Sequence, residues 1–151
     1  MKRSIILVAL IAVAASIAAI SGNASNGGGR TLDLTGVVTG SRVAYDAKPA
    51  GPSPGDTGYT TGLVFEHGKR VGRYQGVCTV LPHSSQQCSF TLGLPDGQLV
   101  VEAAYGPGFN TGSVALEAVV GGTGAYLGAR GEGRDREIGN AKLAFQLHLV
   151  S

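Results

Sequence analysis

The chain has 151 residues, with 12 Lys and Arg against 10 Asp and Glu and a formal net charge of +2. Proteins that bind nucleic acids usually carry a basic stripe interleaved with aromatic side chains. This chain lacks such a stripe, which excludes nucleic acid as a partner. Its length allows one hydrophobic core and no more, so we expect a single folded domain.

The first 21 residues have the pattern of a signal peptide. Lys2 and Arg3 precede an apolar run over residues 5–20, and Ala19-Ile20-Ser21 offers small residues at the cleavage position. The alternative is one uncleaved membrane anchor, although the run is short for a bilayer span. Cleavage takes away Lys2 and Arg3, leaving 10 basic residues against 10 acidic ones. We therefore expect a near-neutral protein, secreted or periplasmic and outside the membrane after cleavage.

Residues 22–30 are rich in Gly, Asn and Ser, which predicts a flexible leader. The remaining residues, 31–151, form the predicted domain. Apolar and polar residues alternate in one segment after another, a period of two that is typical of β-strands. The last segment shows it well, because Leu143, Phe145, Leu147 and Leu149 share one face. The predicted strands are residues 31–44, 60–67, 69–80, 87–94, 98–105, 113–120, 125–134 and 140–150.

Short connections between these strands predict an antiparallel up-and-down meander. Pro95-Asp96-Gly97 is a hairpin signal, since Pro fixes one dihedral angle and Gly is free to adopt a left-handed one. The longest break, residues 46–58, is rich in Pro and Gly and predicts a loop beside the mouth of a barrel. Eight such strands can close on themselves, with room inside for packed side chains or one small ligand. We therefore predict an all-β, eight-stranded antiparallel β-barrel.

Both cysteines, Cys78 and Cys88, follow the predicted signal, and an even count in an oxidising compartment favours a disulfide. Nine residues separate them, with Pro82-His83-Ser84-Ser85 at the turn, so the bond would join two antiparallel neighbours. The alternative, a reactive thiol pair, lacks the Cys-x-x-Cys spacing and a nearby activating base.

Residues 119–133 are rich in glycine and resemble the turn that opens a dinucleotide-binding fold. Such a turn needs a crossover helix and a second parallel strand after it, about 30 residues in all. Only residues 129–151 remain after the turn, so the chain is too short for this reading. The three histidines show no metal-ligand spacing, and no Gly-x-Ser-x-Gly elbow is present. No metal site is predicted.

The same glycine-rich stretch matches another pattern over its full length. Gly121-Gly122-Thr123-Gly124-x-Tyr126-x-x-Ala129-Arg130-Gly131 resembles the penultimate hairpin of the dirigent and allene oxide cyclase-like barrels. Further matching pieces lie upstream in the right order, and together they extend the resemblance over residues 32–150: Gly55-Asp56, Gly68-Lys69-Arg70-Val71-Gly72, Gly76-Val77-Cys78 and Leu94-Pro95-Asp96-Gly97-Gln98. The resemblance implies a calycin-like barrel, no cofactor, and a homo-oligomer as one state open to the chain.

Two residues are the first catalytic candidates on this resemblance. Asp56 stands where the family often has an acid near the pocket opening, and burial there would raise its pKa and let it donate a proton. The alternative is that Asp56 stabilises its own turn. Arg130 matches an arginine that lines the pocket in some dirigents, where a guanidinium can hold a guest's oxygen. The alternative is an ion pair with Glu132, Asp135 or Glu137.

Tyrosines and two glutamates complete the candidates. Tyr126 is the third catalytic candidate, and Tyr74 and Tyr105 are predicted to line the pocket, because tyrosine has an apolar body and a polar tip. Glu102 and Glu117 lie opposite the apolar faces of their strands. Both face the lumen if those apolar faces point outward, and both are solvated if they point inward. We predict them as ligand-binding residues and leave the choice of face open.

The function predicted from the sequence is an exported, cofactor-independent barrel that binds a small, apolar, reactive metabolite. It would guide the cyclisation or stereoselective coupling of that guest, as an isomerase, a cyclase or a dirigent-like protein, chiefly by holding it near its reactive conformation. Lignan-forming dirigents have an aspartate where Gly122 stands, so the resemblance supports this broader activity rather than radical coupling in particular. The alternative is a carrier for small hydrophobic ligands that performs no chemistry.

Overall fold

The computed structural model describes residues 29–150, and the predicted signal and most of the leader lie outside the described residues. Eight strands make up almost all of this region: β1 (Arg30–Tyr45), β2 (Thr57–Glu66), β3 (Lys69–Val80), β4 (Gln86–Leu94), β5 (Gly97–Tyr105), β6 (Val114–Gly122), β7 (Arg130–Gly139) and β8 (Lys142–Val150). Two single-turn 3-10 helices, Pro82–Ser84 and Gly124–Tyr126, interrupt the connections. Among the residues described, no helix is long and apolar enough to cross a membrane.

The sheet closes on itself. Each strand pairs antiparallel with the next, and β1 also pairs with β8, which gives a closed eight-stranded barrel. Leu34 shows the closure directly, because it lies opposite Glu66 of β2 on one side and Phe145 of β8 on the other. Closure leaves no unpaired sheet edge along the barrel wall. The predicted all-β, up-and-down barrel is confirmed.

The barrel interior follows the alternation seen in the sequence, but the apolar face is not the inner face in every strand. Leu99, Val101, Ala103 and Tyr105 of β5 point inward and are buried, as are Phe145, Leu147 and Leu149 of β8. In β6 the order is reversed, so that Val114, Leu116 and Val120 are exposed and Leu116 keeps 71% of its surface in solvent. Ala115, Glu117 and Val119 point inward instead.

This reversal separates the two glutamates that the sequence treats alike. Glu117 of β6 lies inside the barrel and is 3% exposed, whereas Glu102 of β5 is exposed on the outer face. Glu102 alternates with buried apolar neighbours, whereas Glu117 takes the buried position and its neighbours are exposed. The more apolar face of a strand is therefore not always the face that points into the barrel.

Three aromatic rings lie in the interior, and each packs against a glycine of a strand paired with its own. A Cβ atom added to Gly36 would lie 2.7 Å from Cε2 of Phe145, and one added to Gly76 would collide with the ring of Phe90. A Cβ at Gly62 would collide both with the Tyr74 ring and with the carbonyl oxygen of Val37. The wall is thus thinned at the points where the rings need space.

The two ends of the barrel are built differently. One end, which we call the mouth, carries residues 46–56, the turn at residues 81–85 and the loop at residues 106–113. The opposite end, the base, carries the tight turns that join β2 to β3 and β4 to β5, and the connection from β6 to β7. The Pro/Gly-rich loop therefore lies at the mouth, in agreement with the sequence.

The predicted seventh strand, residues 125–134, is wrong at its start. Gly124–Tyr126 forms a 3-10 turn, and the strand runs from Arg130 to Gly139. Gly124 has a φ of +62°, the left-handed region that favours glycine, and the amide of Ala125 donates to the carbonyl oxygen of Asp96 in the neighbouring hairpin. This turn folds Tyr126 inward and closes the base.

The predicted disulfide is present. Cys78 of β3 and Cys88 of β4 lie directly opposite each other, with their Cα atoms 4.1 Å apart, and are bonded through sulfur. The Cys88 side is buried, so the bond lies on the inner side of the barrel near the mouth. It ties together the two strands that flank the turn at residues 81–85.

We expect the double change C78S/C88S to lower the free energy of unfolding by about 2–3 kcal/mol, because the crosslink restricts a short loop in the unfolded chain. Urea denaturation of the oxidised protein and the double variant measures this difference. The wild type under reducing conditions serves as the matched control and should behave like the double variant. Equal stability of all three samples would contradict a structural role for the bond.

Candidate functional site

The most unusual side chain inside the barrel is Glu117. It is 3% exposed, and neither of its carboxyl oxygens has a hydrogen-bond partner among the described residues. Buried polar groups are almost always hydrogen-bonded, because an unpaired one loses its water without compensation. Glu117 Oε2 lies 3.2 Å from the position that a Cβ on Gly133 would take, so glycine in β7 makes the room that this carboxyl occupies.

A second buried acid, Asp135 of β7, lies beside Glu117. Its residue exposure is 0%, and its Oδ2 accepts a short hydrogen bond from the hydroxyl of Tyr105 in β5. Its Oδ1 has no partner among the described residues. The ladder places these groups side by side, since Glu117 pairs with Ala103 of β5 and with Gly133 of β7. We call Tyr105, Glu117 and Asp135 the lumen triad.

Burial and mutual repulsion change the acidity of the triad. Burial, with a further contribution from the charge of Asp135, raises the pKa of Glu117 from its usual 4.5 to about 8. Burial also raises the pKa of Asp135, although the hydrogen bond from Tyr105 favours its ionised form. Burial, followed by the neighbouring charge of Asp135, raises the pKa of Tyr105 as well. At neutral pH Glu117 is therefore a protonated acid in an apolar setting.

The cavity at the mouth does not include the triad. It has a volume of about 420 Å³ and is lined by Val43, Cys78, Val80 and Gln86, together with residues of the loop at 46–58. Cys78 and Gln86 continue the inward alternation of their strands, and Gln86 is the ladder partner of Tyr105. Phe109 from the mouth loop covers the Tyr105 ring, with the two ring centres 4.5 Å apart.

Asp56 lies at the mouth and holds its loop together. Its Oδ1 accepts the backbone amide of Ala47 at 2.7 Å, and its Oδ2 accepts that of Ser53 at 2.8 Å. The buried Ser53 hydroxyl adds a third hydrogen bond to Oδ1 at 3.2 Å. The amide of Ser53, followed by that of Ala47, lowers the pKa of Asp56, whereas the sequence interpretation expects it to rise. The contacts match the alternative role, that of stabilising the turn.

We expect Asp56→Ala to loosen the mouth loop without unfolding the barrel, because two backbone amides lose their acceptor. Hydrogen exchange followed by mass spectrometry should show faster exchange over residues 46–56 and unchanged exchange in β5 to β8. Asp46→Ala, in the same loop, is the control. Unchanged protection of the loop in Asp56→Ala would contradict this role.

Arg130 and Tyr126 lie at the base, at the other end of the barrel from Asp56. Arg130 opens β7 and pairs with Val150, and its side chain is exposed on the outer face. Arg130 was expected to line the pocket, but it points away from the interior. The alternation of β7 places Arg130, Glu132 and Arg134 together on the outer face. Tyr126 is buried under the guanidinium of Arg30, which lies 5.4 Å from the ring centre. The three catalytic candidates do not converge.

Of the predicted ligand-binding residues, Tyr74, Tyr105 and Glu117 face the lumen, whereas Glu102 does not. Sequence reasoning missed Asp135, because the seventh strand was predicted to end at residue 134. The signal was present in β7, where Gly131, Gly133 and Asp135 alternate with charged residues on the opposite face. Asp135 shares a strand face with two glycines, whereas the residues that alternate with these three are charged, and this pattern indicates that the face with Asp135 is the buried one. Within residues 29–150, no cluster of side chains is suited to bind a metal ion.

Several solved structures share this barrel fold. A pyocyanin demethylase aligns with a TM-score of 0.69 and 22% identity, over 80% of this chain and 99% of that one. A pterocarpan synthase dirigent protein aligns with a TM-score of 0.62 and 19% identity, over 81% and 94% of the two chains. The Diels-Alderase AbmU from Streptomyces koyangensis aligns with a TM-score of 0.59 and 17% identity, over 83% and 70%.

The comparison of sequences gives the family. No curated protein matches the chain at a significant level. A sequence model described as the allene oxide cyclase barrel-like domain matches residues 37–150, which is most of the chain and nearly all of the barrel. The match includes β2 to β8 and the whole lumen triad, in agreement with the resemblance of the glycine-rich hairpin. The chain therefore belongs to the allene oxide cyclase barrel-like family.

Proposed function

We propose that this barrel binds a small, largely apolar metabolite and guides its cyclisation or stereoselective coupling, with Glu117 as the group that exchanges a proton with the guest. The observation that carries the proposal is the unpartnered, buried carboxyl of Glu117 inside the barrel. An orphaned acid costs folding free energy, and such groups concentrate at functional sites. The names of the similar solved structures, each an activity on a small organic molecule, support the same class.

The lumen triad divides acid and base roles between its two carboxyls. Asp135 receives a proton-donating contact from Tyr105, which favours its ionised form, whereas Glu117 has no donor and stays protonated. Two acids in different surroundings can therefore give and accept protons at the same pH. Glu117 would protonate an oxygen that becomes negative as a ring closes, and the apolar walls would strengthen that interaction. No step in this scheme calls for a cofactor.

A neutral probe tests proton transfer in the lumen directly. We expect the protein to open 5-nitrobenzisoxazole, in which a carboxylate removes the ring C–H proton and the N–O bond breaks to give a coloured phenolate. The rate should rise as the pH passes through about 8, where Glu117 ionises. Glu117→Gln should lower it about 100-fold, the usual contribution of a positioned base.

Glu102→Gln is the matched control, because Glu102 lies on the outer face of the strand that pairs with Glu117's own. It should keep the full rate. Equal rates in the wild type and Glu117→Gln would contradict proton transfer by Glu117. The sequence-based roles of Asp56, Arg130 and Tyr126 stay predictions, and the same assay applied to their alanine variants checks them.

A carrier without chemistry is the second candidate. The observation in its favour is the mouth cavity, which is lined by Val43, Cys78 and Val80 and does not include Glu117. A guest held only there would be bound and released unchanged. Binding of 5-nitrobenzisoxazole without turnover, unaffected by Glu117→Gln, would favour the carrier.

Export of the mature chain belongs to the same proposal. The Cys78–Cys88 bond supports it, since structural disulfides persist in oxidising compartments. N-terminal sequencing of the processed protein from the medium or periplasm tests cleavage after residue 21. A homo-oligomer stays a prediction, which analytical ultracentrifugation checks.

A further inference from the structure

The charge inside the barrel is one-sided. Among the residues described, the buried charged side chains are Glu117 and Asp135, and both are acids. Glu137, two positions beyond Asp135 in β7, is half-buried and continues the same face toward the mouth. The cation of Arg30 lies at the base, over Tyr126. Buried acids normally have a cationic partner, and between residues 29 and 150 no buried cation lies beside these two.

Aromatic rings surround this acidic interior. Tyr74 lies edge-on to Phe90 and Phe145, with centroid separations of 6.4 and 6.3 Å, and Phe90 meets Tyr105 in the same way at 6.4 Å. Phe109 extends the row toward solvent. Ring faces carry partial negative charge and attract organic cations, most strongly where water is excluded. The acids and the rings therefore favour the same kind of guest.

The mouth loop is the segment that covers Tyr105. Phe109 is half-buried and packs edge-on against the Tyr105 ring, and Gln86, the ladder partner of Tyr105, lines the mouth cavity of about 420 Å³. Its loop contains Gly106, Gly108 and Gly112, and side chains added at these positions would meet open space. A planar guest that displaced Phe109 would gain the Tyr105 ring as a stacking partner and would point toward Asp135 and Glu117.

We propose that the guest of the lumen is an organic cation, or a base that binds in its protonated form, with the positive charge on or beside a planar aromatic ring. It stacks on Tyr105 in place of Phe109 and directs its charge to Glu117 and Asp135. This inference rests on the proposed function, since it assumes that the lumen takes a guest at all. It adds the chemical class of that guest.

Binding of such a guest is coupled to proton release. Inside the barrel Glu117 faces Tyr105 of β5 and Asp135 of β7, whereas β8 faces it with Leu147. Glu132, Arg134 and His148, which are exposed on the outer face, line a cavity together with Glu117. The titratable groups that face Glu117 inside the barrel are acids, and the two basic residues Arg134 and His148 lie on the outer face. A cation therefore favours the ionised form of Glu117 and expels its proton. Because the pKa of Glu117 is about 8, the affinity for a cation should rise about tenfold between pH 7 and pH 9.

Three probes of matched shape separate charge from size. N-methylquinolinium carries a positive charge, 1-methylnaphthalene is neutral, and 1-naphthoate is negative. Isothermal titration calorimetry at pH 7, in two buffers of different ionisation enthalpy, counts the protons released. We expect the cation to bind at least tenfold more tightly than the neutral probe and to release about one proton. The anion should bind most weakly.

Variants of the lumen residues test whether the proton released on binding comes from Glu117. Glu117→Gln should abolish proton release and the dependence on pH, whereas Glu102→Gln on the outer face should retain both. Phe109→Ala should strengthen binding of the cation, because the guest no longer has to displace a ring. Circular dichroism confirms that each variant is folded.

The outcomes distinguish the two proposals. If the neutral probe binds as tightly as the cation, or if the cation binds without proton release, the assigned guest class is wrong and the proposed lumen function stands. If none of the three probes binds to the wild type or to Phe109→Ala, and 5-nitrobenzisoxazole is not opened, both proposals are overturned.

Discussion

Glu117→Gln is expected to stabilise the protein at high pH by about 5 kcal/mol while leaving its stability near pH 4 almost unchanged. In the unfolded chain this carboxyl ionises near pH 4.5, and in the barrel it ionises at about pH 8. Between these values the unfolded state loses a proton that the folded state keeps. The free energy of unfolding therefore falls as the pH rises through this window, by up to about 1.4 kcal/mol per pH unit.

Urea denaturation at pH 4, 6, 8 and 9 measures this effect. The stability that a protonated Glu117 provides is fully present below its unfolded pKa and is lost as the pH rises to its folded pKa. Glutamine has no charge to bury, so the curve of the variant should be flatter. The raised pKa of Asp135 also lowers the free energy of unfolding as the pH rises, in the wild type and in the variant alike. Subtracting one curve from the other removes this shared contribution. Parallel curves for the wild type and Glu117→Gln, with Glu102→Gln as reference, would contradict a buried neutral Glu117.

Gly62→Ala is expected to destabilise the barrel by at least about 3 kcal/mol. The added methyl group would collide with the Tyr74 ring and with the carbonyl oxygen of Val37, which belongs to the neighbouring strand. The ring can move only toward Phe90 and Phe145, which already pack against it. Overpacking of a tight interior costs about 1–3 kcal/mol, and a second collision with backbone adds to that cost.

Gly106→Ala is the matched control for this change. A Cβ at Gly106 would meet nothing within 4 Å, and the residue lies outside the strands. Its alanine variant should unfold within about 0.5 kcal/mol of the wild type, as exposed positions usually do. If Gly62→Ala were as stable as Gly106→Ala, the close packing of Tyr74 against β2 would be incorrect.

The barrel could be predicted from the sequence because its signals are local. Alternation with a period of two identifies a strand without reference to any other strand, and β3 was predicted with the bounds it has in the structure, Lys69–Val80. Cys78 and Cys88 were assigned as neighbours from one short turn. The exception is β7, which was predicted over residues 125–134 and runs from Arg130 to Gly139. It starts late because Gly124 makes a turn that is stabilised by its contact with the hairpin at Asp96. That contact joins distant segments and leaves no local pattern.

The lumen triad could be predicted only in part, because the side of the sheet that faces inward is a property of the closed barrel. The alternation of β6 shows that Glu117 opposes apolar residues, and it does not show which set is buried. Closure decides this by pairing Glu117 with Ala103 and Gly133, both on inner faces. The burial of Asp135 is likewise a result of barrel closure. The hydrogen bond to it spans 30 residues, from Tyr105.

The resemblance to dirigent barrels predicted the fold better than it predicted the site residues. The glycine-rich hairpin correctly indicated the family, yet Arg130 within it lies on the outer surface. The backbone of the hairpin itself requires glycine at some positions, such as Gly131 with its φ of +154°. The side chains between them follow the local alternation. A match at the glycine positions of the hairpin therefore does not show that a charged residue between them has the role it has in other family members.

The pairing of rings with glycines gives this barrel an adjustable interior. Because the backbone at Gly36, Gly62 and Gly76 already leaves space for a ring, replacing Phe145, Tyr74 or Phe90 by a smaller side chain would enlarge the hollow while the strands kept their register. The wall and its contents are thus nearly independent in this architecture. The bulk of the guest that such a barrel admits would then depend on one side chain and not on the sheet.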